Sequence, residues 1–447
     1  MSGPRIAVIG GGMAGLSAAA TLTGLAEVTV FESADRVGGK LALGPLGVDE
    51  GAESFLARRP EGLDAAREAA VELAAPGTTS ASIWLAKGLV PLPAGTLLGV
   101  PTDLWAAAGV LGVLGVARAA LDRVLPRSRF PDDPAVGAFV RARVGAAVVD
   151  RLVDPLLGGV YAGSADGLSL RATVPQLVPA LEQRSLLAAA RRLRATPAPD
   201  AGPVFSAPVE GMGAFAAALA RRSGAEIVSG SPVRVVERAG PGWTVDGAAF
   251  DGVVVAAPAA PTAKLLTPLG IDVPEVPYAS VAIATFVFPS GTELPAGSGL
   301  LVPPSRGRAM KAATFLSQKW PHLASRAEGP IVRASAGRFG DVRDLQRPDV
   351  ELLGVLAADF AAATGVLARP VEAALRRWGG GLPQYRPGHP DRVAGFRRTL
   401  PAGLAVAGAA WDGVGVPACL RSGRLAAEAV LETVLTGAFS VRPSGGQ

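Results

Sequence analysis

Arg5-Ile6-Ala7-Val8-Ile9-Gly10-Gly11-Gly12-Met13-Ala14-Gly15 opens the chain, and its reading decides the fold. A short run of strand-forming apolar residues meets a glycine cluster, and helix-forming residues follow to about Leu22. A second run, Glu27-Val28-Thr29-Val30-Phe31, then ends at Glu32 and Ser33. Strand, glycine loop, helix, strand and acid in this register make an adenine-dinucleotide fingerprint. Gly10 permits the tight turn, Gly12 lets the backbone approach a pyrophosphate, and Gly15 lets helix and sheet pack closely. Gly11, Met13 and Ala14 complete the loop, whose helix directs N-terminal N–H groups at the phosphates. Glu32, with Ser33 beside it, stands where a carboxylate takes hydrogen bonds from both ribose hydroxyls.

Composition bounds what such a domain is attached to. At 447 residues the chain exceeds the size at which single cores stop growing, so two or three domains are expected. One cysteine, Cys419, excludes a disulfide framework or a cysteine metal cluster, and two histidines, His322 and His389, argue against a histidine metal site. An organic cofactor must then carry the difficult chemistry. The net charge of +5 is almost all arginine, with lysines only at positions 40, 87, 264, 311 and 319. That balance suits an anionic substrate, while 5% aromatics without basic interleaving gives no nucleic-acid pattern. The first strand begins at residue 5, so no signal peptide is expected. The apolar stretch Leu104–Ala117, 14 residues, is too short for a confident membrane span and reads as a buried helix or a surface dipping into the interface.

The expected fold class is α/β: a discontinuous Rossmann-like domain over 1–80, 204–262 and 396–447, a mostly helical insertion over 81–203, and a mixed α+β substrate domain over 263–395. Helices are expected at 104–122, 135–154 and 185–195, with breaks at 125–134 and Thr196–Pro203. A helix opens at Gly211-Met212-Gly213, strands follow through Val233–Glu237 and Gly252–Ala257, and Pro348–Thr364 is the one clear helix among the later strands. Leu404–Gly408, the glycine turn Gly413–Pro417 and a helix from Cys419 supply a second N-terminus for a cofactor. The tail 442–447 is low in complexity.

After Glu32 comes Asp35-Arg36-Val37-Gly38-Gly39-Lys40. This arrangement resembles the flavoprotein superfamily of amine oxidases, phytoene desaturases and protoporphyrinogen oxidases, and implies non-covalent FAD. In that resemblance Gly39 and Lys40 lie near the phosphate–ribitol part, and Val233 matches the strand that pairs with the adenine. Further segments are similar to the oxygen-dependent porphyrinogen oxidases: Asp49–Phe55, which includes the flavin-contact residues Gly51, Ala52, Glu53 and Ser54; Asp154–Gly163 with Leu168-Ser169-Leu170; Arg377-Trp378 with Leu382–Tyr385 and Gly388-His389; and the closing loop with Gly408, Val414, Gly415 and Val416. Pro91–Pro93 with Gly99–Thr102, and Thr314 with Lys319–His322, resemble the branch acting on coproporphyrinogen III. Departures are Asp412, Ala418, and Glu53 where eukaryotic relatives carry arginine.

The resemblance implies oxidation of coproporphyrinogen III to coproporphyrin III in haem biosynthesis, by hydride transfer to the flavin, with dioxygen as acceptor and hydrogen peroxide as product. Alternatives are a protoporphyrinogen IX oxidase, a flavin amine oxidase and a non-catalytic porphyrin-binding flavoprotein. The expected partners are the tetrapyrrole, dioxygen and a downstream ferrochelatase; the expected location is cytoplasmic, with at most peripheral contact at the inner membrane face. No single catalytic side chain is expected, because the flavin and the gain of aromaticity drive the chemistry. Substrate candidates are Lys319, Tyr161 and Arg171, with Arg184, Arg333 and Arg338 as looser ones; His322, His389 and Cys419 read as structural.

Overall fold

The computed structural model describes residues 3–126, 129–195 and 202–440. Residues 196–201 of the expected loop, 127 and 128 of the expected break, and the tail 442–447 lie outside the described residues. β1 (Arg5–Ile9) is buried from Ile6 onward, as a central parallel strand should be. The loop turns into α1 (Met13–Thr21), and β2 (Glu27–Phe31) pairs parallel to β1.

The insertion begins with a hairpin of β3 (Ser82–Leu85) and β4 (Gly88–Pro91). α2 (Ala108–Ala120), α3 (Val136–Val144), α4 (Asp154–Tyr161) and α5 (Leu186–Ala195) then surround a core of Phe139, Val144, Leu152 and Leu157. The helix expected over 135–154 is interrupted. Gly145, at φ +93°, ends α3, and Val149–Val153 form a π-helical turn. The path then runs on into α4, because Pro155 falls in its first turn, where a missing N–H costs little. α2 is bent by Gly112 at φ +71°. It is one-sided rather than buried: Val110, Leu111 and Ala119 are covered, whereas Val113 and Leu114, and Trp105 just before the helix, are more than four-fifths exposed. Among the described residues no helix is long and apolar enough to cross a membrane.

The chain returns through α6 (Met212–Ser223), β5 (Glu226–Val228) and β6 (Gly252–Val255). The strand expected from Val233 starts only at Val236. The Asp246 carboxylate accepts the N–H groups of Arg234 and Val235, which removes those donors from a ladder.

β7 (Tyr278–Val287), β8 (Gly299–Leu301), β9 (Met310–Phe315), β10 (Ile331–Ala336) and β11 (Glu372–Pro383) form a seven-stranded sheet with the hairpin, ordered β11-β7-β10-β9-β8-β3-β4. Residues 82–91, expected within the helical insertion, are therefore hydrogen-bonded into the large sheet; Leu300 and Leu301 of β8 pair parallel with Ser82 and Ile83. α7 (Asp349–Thr364) covers one face, packing Leu352, Leu356 and Phe360 on Phe286, Phe315 and Val332. Arg333 and Ser335 of β10 alternate to the other face.

α8 (His389–Thr399) is a helix where strands were expected, and it is followed by β12 (Leu404–Val406). α9 (Val416–Ser440) begins at the glycine turn, ahead of the expected Cys419. The parallel sheet is ordered β5-β2-β1-β6-β12. The chain leaves β1 toward β2 on one side and later returns to its other side. The crevice beyond the end of β1 is thus a topological switch point, where ligands bind in open α/β sheets.

Candidate functional site

Three of the four glycines of the first loop have distinct physical duties. Gly10 sits at φ +111°, and a Cβ there would stand 2.8 Å from the Ala256 carbonyl oxygen. A Cβ on Gly15 would stand 1.8 Å from the Gly10 oxygen, so only glycine lets α1 approach the loop this closely. A Cβ on Gly12 would meet nothing within 4 Å. The open side of the loop is therefore at Gly12, at the N-terminus of α1, where a pyrophosphate would be received.

Glu32 is buried, and both of its oxygens are held. Oε2 accepts the Gly11 N–H at 2.7 Å; Oε1 accepts the Ala34 N–H at 2.8 Å and the Ser33 hydroxyl at 3.1 Å. A carboxylate oxygen accepts more than one hydrogen bond, so capacity for ribose hydroxyls remains. The Ser231 N–H donates to the Glu32 carbonyl at 2.9 Å, which brings Val233 to this end although it lies outside a strand.

The segment after Glu32 folds back on the loop. The Gly38 N–H donates to the Gly11 carbonyl at 2.8 Å, and a Cβ on Gly39 would stand 3.4 Å from the Gly12 Cα. Arg36 donates to the carbonyls of Val37, Gly39 and Leu41, fixing the turn from inside. Lys40 reaches away, toward the large sheet. Its Nζ donates to the Gly381 carbonyl at 2.5 Å and stands 5.3 Å from the centre of the Tyr278 ring. Burial lowers its pKa, and the neighbouring Cys419 opposes this. The Cys419 thiol is itself pushed up to about 11 by burial.

The segment Asp49–Ser54 is clamped against the same seam. A Cβ on Gly51 would stand 2.2 Å from the Lys40 carbonyl oxygen. Its carbonyls are taken by the large sheet: Arg333 donates to Gly51 at 2.9 Å, and Trp378 Nε1 donates to Glu50 at 2.7 Å. The Asp49 carboxylate accepts the Met212 N–H at 3.0 Å and so caps α6; burial pushes its pKa up to about 6. Glu53 is buried between Lys319 at 2.6 Å and Arg333 at 2.5 Å. Burial alone would raise its pKa, but the charges of Arg333 and Lys319 prevail and hold it down to about 2. The departure at Glu53 thus has a structural reason: it neutralises two cations.

The closing turn meets the first loop. A Cβ on Gly408 would stand 3.8 Å from the Ala14 Cβ, and the Ser17 hydroxyl donates to the Leu420 carbonyl at 2.7 Å. Gly413 and Gly415 have φ of +115° and +98°, and a Cβ on Gly415 would meet nothing within 4 Å. Val416 is buried and Val414 half-buried beside it. Asp412 is held by Arg397 at 2.6 Å and by the Ser422 hydroxyl. Glycine segments distant in the sequence therefore line one seam with two open backbone positions, Gly12 and Gly415. This fits an extended dinucleotide.

The three leading substrate candidates are not brought together. Lys319 is committed to Glu53 and lies over the Phe205 and Trp320 rings. Arg171 is on the surface, paired with Asp391 at 2.7 Å. Tyr161 is buried edge-on to Tyr385, its hydroxyl pushed up to about 12 by burial. Arg184 is exposed. Arg338 is half-buried and donates to the carbonyls of Arg308 and Val302. His389 stacks on Tyr385, and burial followed by the Arg392 charge lowers its pKa to about 4. Sequence reasoning passed over Lys311, which is buried in β9. The available signal was a lone lysine inside the strand Met310–Phe315.

A family model described as flavin containing amine oxidoreductase matches residues 13–431. A Mycobacterium leprae protein named coproporphyrinogen III oxidase is 38% identical, covering 96% of this chain and 99% of its own length. A Bacillus subtilis protein of the same name is 29% identical, over 98% and 99%. A solved structure from Exiguobacterium sp. 255-15, provisionally named a protoporphyrinogen oxidase, superposes with a TM-score of 0.84 at 28% identity over 97% and 99% of the two chains.

Proposed function

The chain belongs to the flavin containing amine oxidoreductase family, and from that premise we propose that it is an FAD-dependent oxidase converting coproporphyrinogen III to coproporphyrin III in haem biosynthesis. The observation that carries this reading is full-length similarity to proteins named for that reaction. The seam joining Gly12 to Gly415 supports it, being shaped for an extended dinucleotide.

The residues divide the work. Gly10–Gly15 and the start of α1 receive the pyrophosphate, Glu32 with Ser33 the ribose, Val233 the adenine end, and Gly51–Ser54 with Gly408 and Val414–Val416 the flavin end. Lys40, anchored on Gly381 rather than aimed at the phosphate loop, ties the seam to the large sheet. Bound FAD supplies two-electron acceptance from the porphyrinogen and reoxidation by dioxygen to hydrogen peroxide. The protein's own contribution is positioning. Arg333 and Trp378 fasten the carbonyls of the 49–54 segment, so the sheet that receives the tetrapyrrole and the loop that receives the flavin move as one body.

The exposed apolar face of Trp105, Val113 and Leu114 supports peripheral contact with the cytoplasmic side of the membrane, and delivery of the porphyrin product to a ferrochelatase follows from the same reading. The test is aerobic turnover of the purified yellow protein with coproporphyrinogen III, protoporphyrinogen IX and an amine. Porphyrin fluorescence and peroxide should rise fastest with coproporphyrinogen III. Turnover of the amine alone would overturn the assignment.

A further inference from the structure

Lys311 is 6% exposed, yet among the described residues no carboxylate pairs with it and no acceptor takes its ammonium in a hydrogen bond. It sits at an irregularity in β9. Met310 is paired with Ala336, and Ala312 with the adjacent Ser335, leaving Lys311 as the extra residue of a bulge. Met310 and Ala313 face the core under α7. The carboxylate on that side, Asp359, is occupied by the Met310 N–H at 3.0 Å and by Arg308. The charge that acts on Lys311 is that of Arg338. On the opposite face α4 lies over β8 and β9, with Gly159 against Leu301.

Arg338, half-buried beside it, is bonded to no acid either. It follows β10 after Gly337, and the next residue, Phe339, donates its N–H to the Ala162 carbonyl at the end of α4. Its guanidinium is satisfied by the Val302 and Arg308 carbonyls, not by an acid. Burial lowers its pKa, with Asp154 of α4 as the largest opposing charge. Burial and the Arg338 charge together push Lys311 down to about 7. A buried lysine with no acid bonded to it and a second cation beside it is costly, and such a site is explained when a ligand supplies the anion.

We propose that Lys311 and Arg338 form the subsite that anchors a propionate carboxylate of the porphyrinogen. This rests on the function proposed above. The location agrees with it. Arg333 and Ser335 lie on the same face of β10, Arg333 holding the Gly51 carbonyl and Ser335 opposite Ala312, next to Lys311. Two residues along a strand span about 7 Å. The pair of cations thus stands within one tetrapyrrole's reach of the 49–54 loop.

The test compares Lys311→Met, Lys311→Arg and wild type as holoenzymes. Lys311→Met should raise KM for coproporphyrinogen III, and Kd for coproporphyrin III measured by fluorescence titration, about tenfold, with kcat changed less than about twofold. FAD content should not change, and Lys311→Arg should restore most of the loss. Unchanged KM and Kd in Lys311→Met, or a Lys311→Arg protein as impaired as Lys311→Met, would overturn the anchor. Wild type that binds coproporphyrin III but turns over no porphyrinogen would sink the proposed function alone, since the Kd ratio still reads the anchor.

Discussion

Two pairs of cations lie along the large sheet, and they are treated in opposite ways. Lys319 and Arg333 share the buried carboxylate of Glu53, at 2.6 and 2.5 Å. Lys311 and Arg338 share none. A cation bonded to a buried acid is committed to structure; a cation bonded only to carbonyls, or to no acceptor, is available to something that arrives. His389 shows a third solution, remaining a neutral base in an apolar stack. The difference separates a pair that fixes the flavin-side loop from a pair available to a carboxylate ligand, although all four residues are merely basic in the sequence.

The largest expected effect tests the committed pair. Glu53→Gln leaves Lys319 and Arg333 buried without a counter-charge and should cost about 3–5 kcal/mol, read by denaturant unfolding. The sign with pH follows from a carboxylate lowered from 4.5 to about 2: its stabilisation is present above 4.5 and lost as pH falls through about 2. A Glu53→Gln protein as stable as wild type would erase the distinction between the pairs.

The neutral base gives the next largest effect. His389 is lowered from 6.5 to about 4, so below pH 6.5 the unfolded chain binds the proton first. Stability should fall by about 3 kcal/mol as pH drops from 6.5 to 4, and a His389→Phe protein should lack that component of the acid slope.

The smallest effect concerns the unpaired lysine and has the opposite direction. Lys311 is lowered from 10.5 to about 7, so its charge penalty is full below about 7 and fades as pH rises toward 10.5. Lys311→Met should therefore stabilise the protein, by about 1–2 kcal/mol at pH 6 and less at pH 9, even as it weakens porphyrin binding. Thermal melts at the two pH values check this; destabilisation at pH 6 would mean that Lys311 is structural.

The cofactor seam was legible in the sequence because its physics is local. Gly10 is required by its φ and Gly15 by the Gly10 carbonyl five residues away, and Glu32 bonds Gly11 directly. The same holds for Gly39, Gly51 and Gly415, where a short motif carries most of its own geometry. What the sequence hid is non-local. Strand β3 joins β8 across more than two hundred residues, so the hairpin looked like part of a helical insertion. Gly145 breaks a helix whose apolar spacing gives no warning, and Asp246 strips Val233–Val235 of their strand by capturing two N–H groups. Lys319 looked free until Glu53 appeared beside it, and Lys311 looked ordinary until no acid did.

The most direct measurement is anaerobic. Holoenzyme mixed with coproporphyrinogen III without dioxygen should lose its oxidised flavin absorbance, with coproporphyrin appearing in step, and admitting air should restore the flavin colour with release of peroxide. Coproporphyrinogen III that leaves the flavin oxidised, while an amine bleaches it, would contradict the assignment of this seam and sheet to a porphyrinogen oxidase.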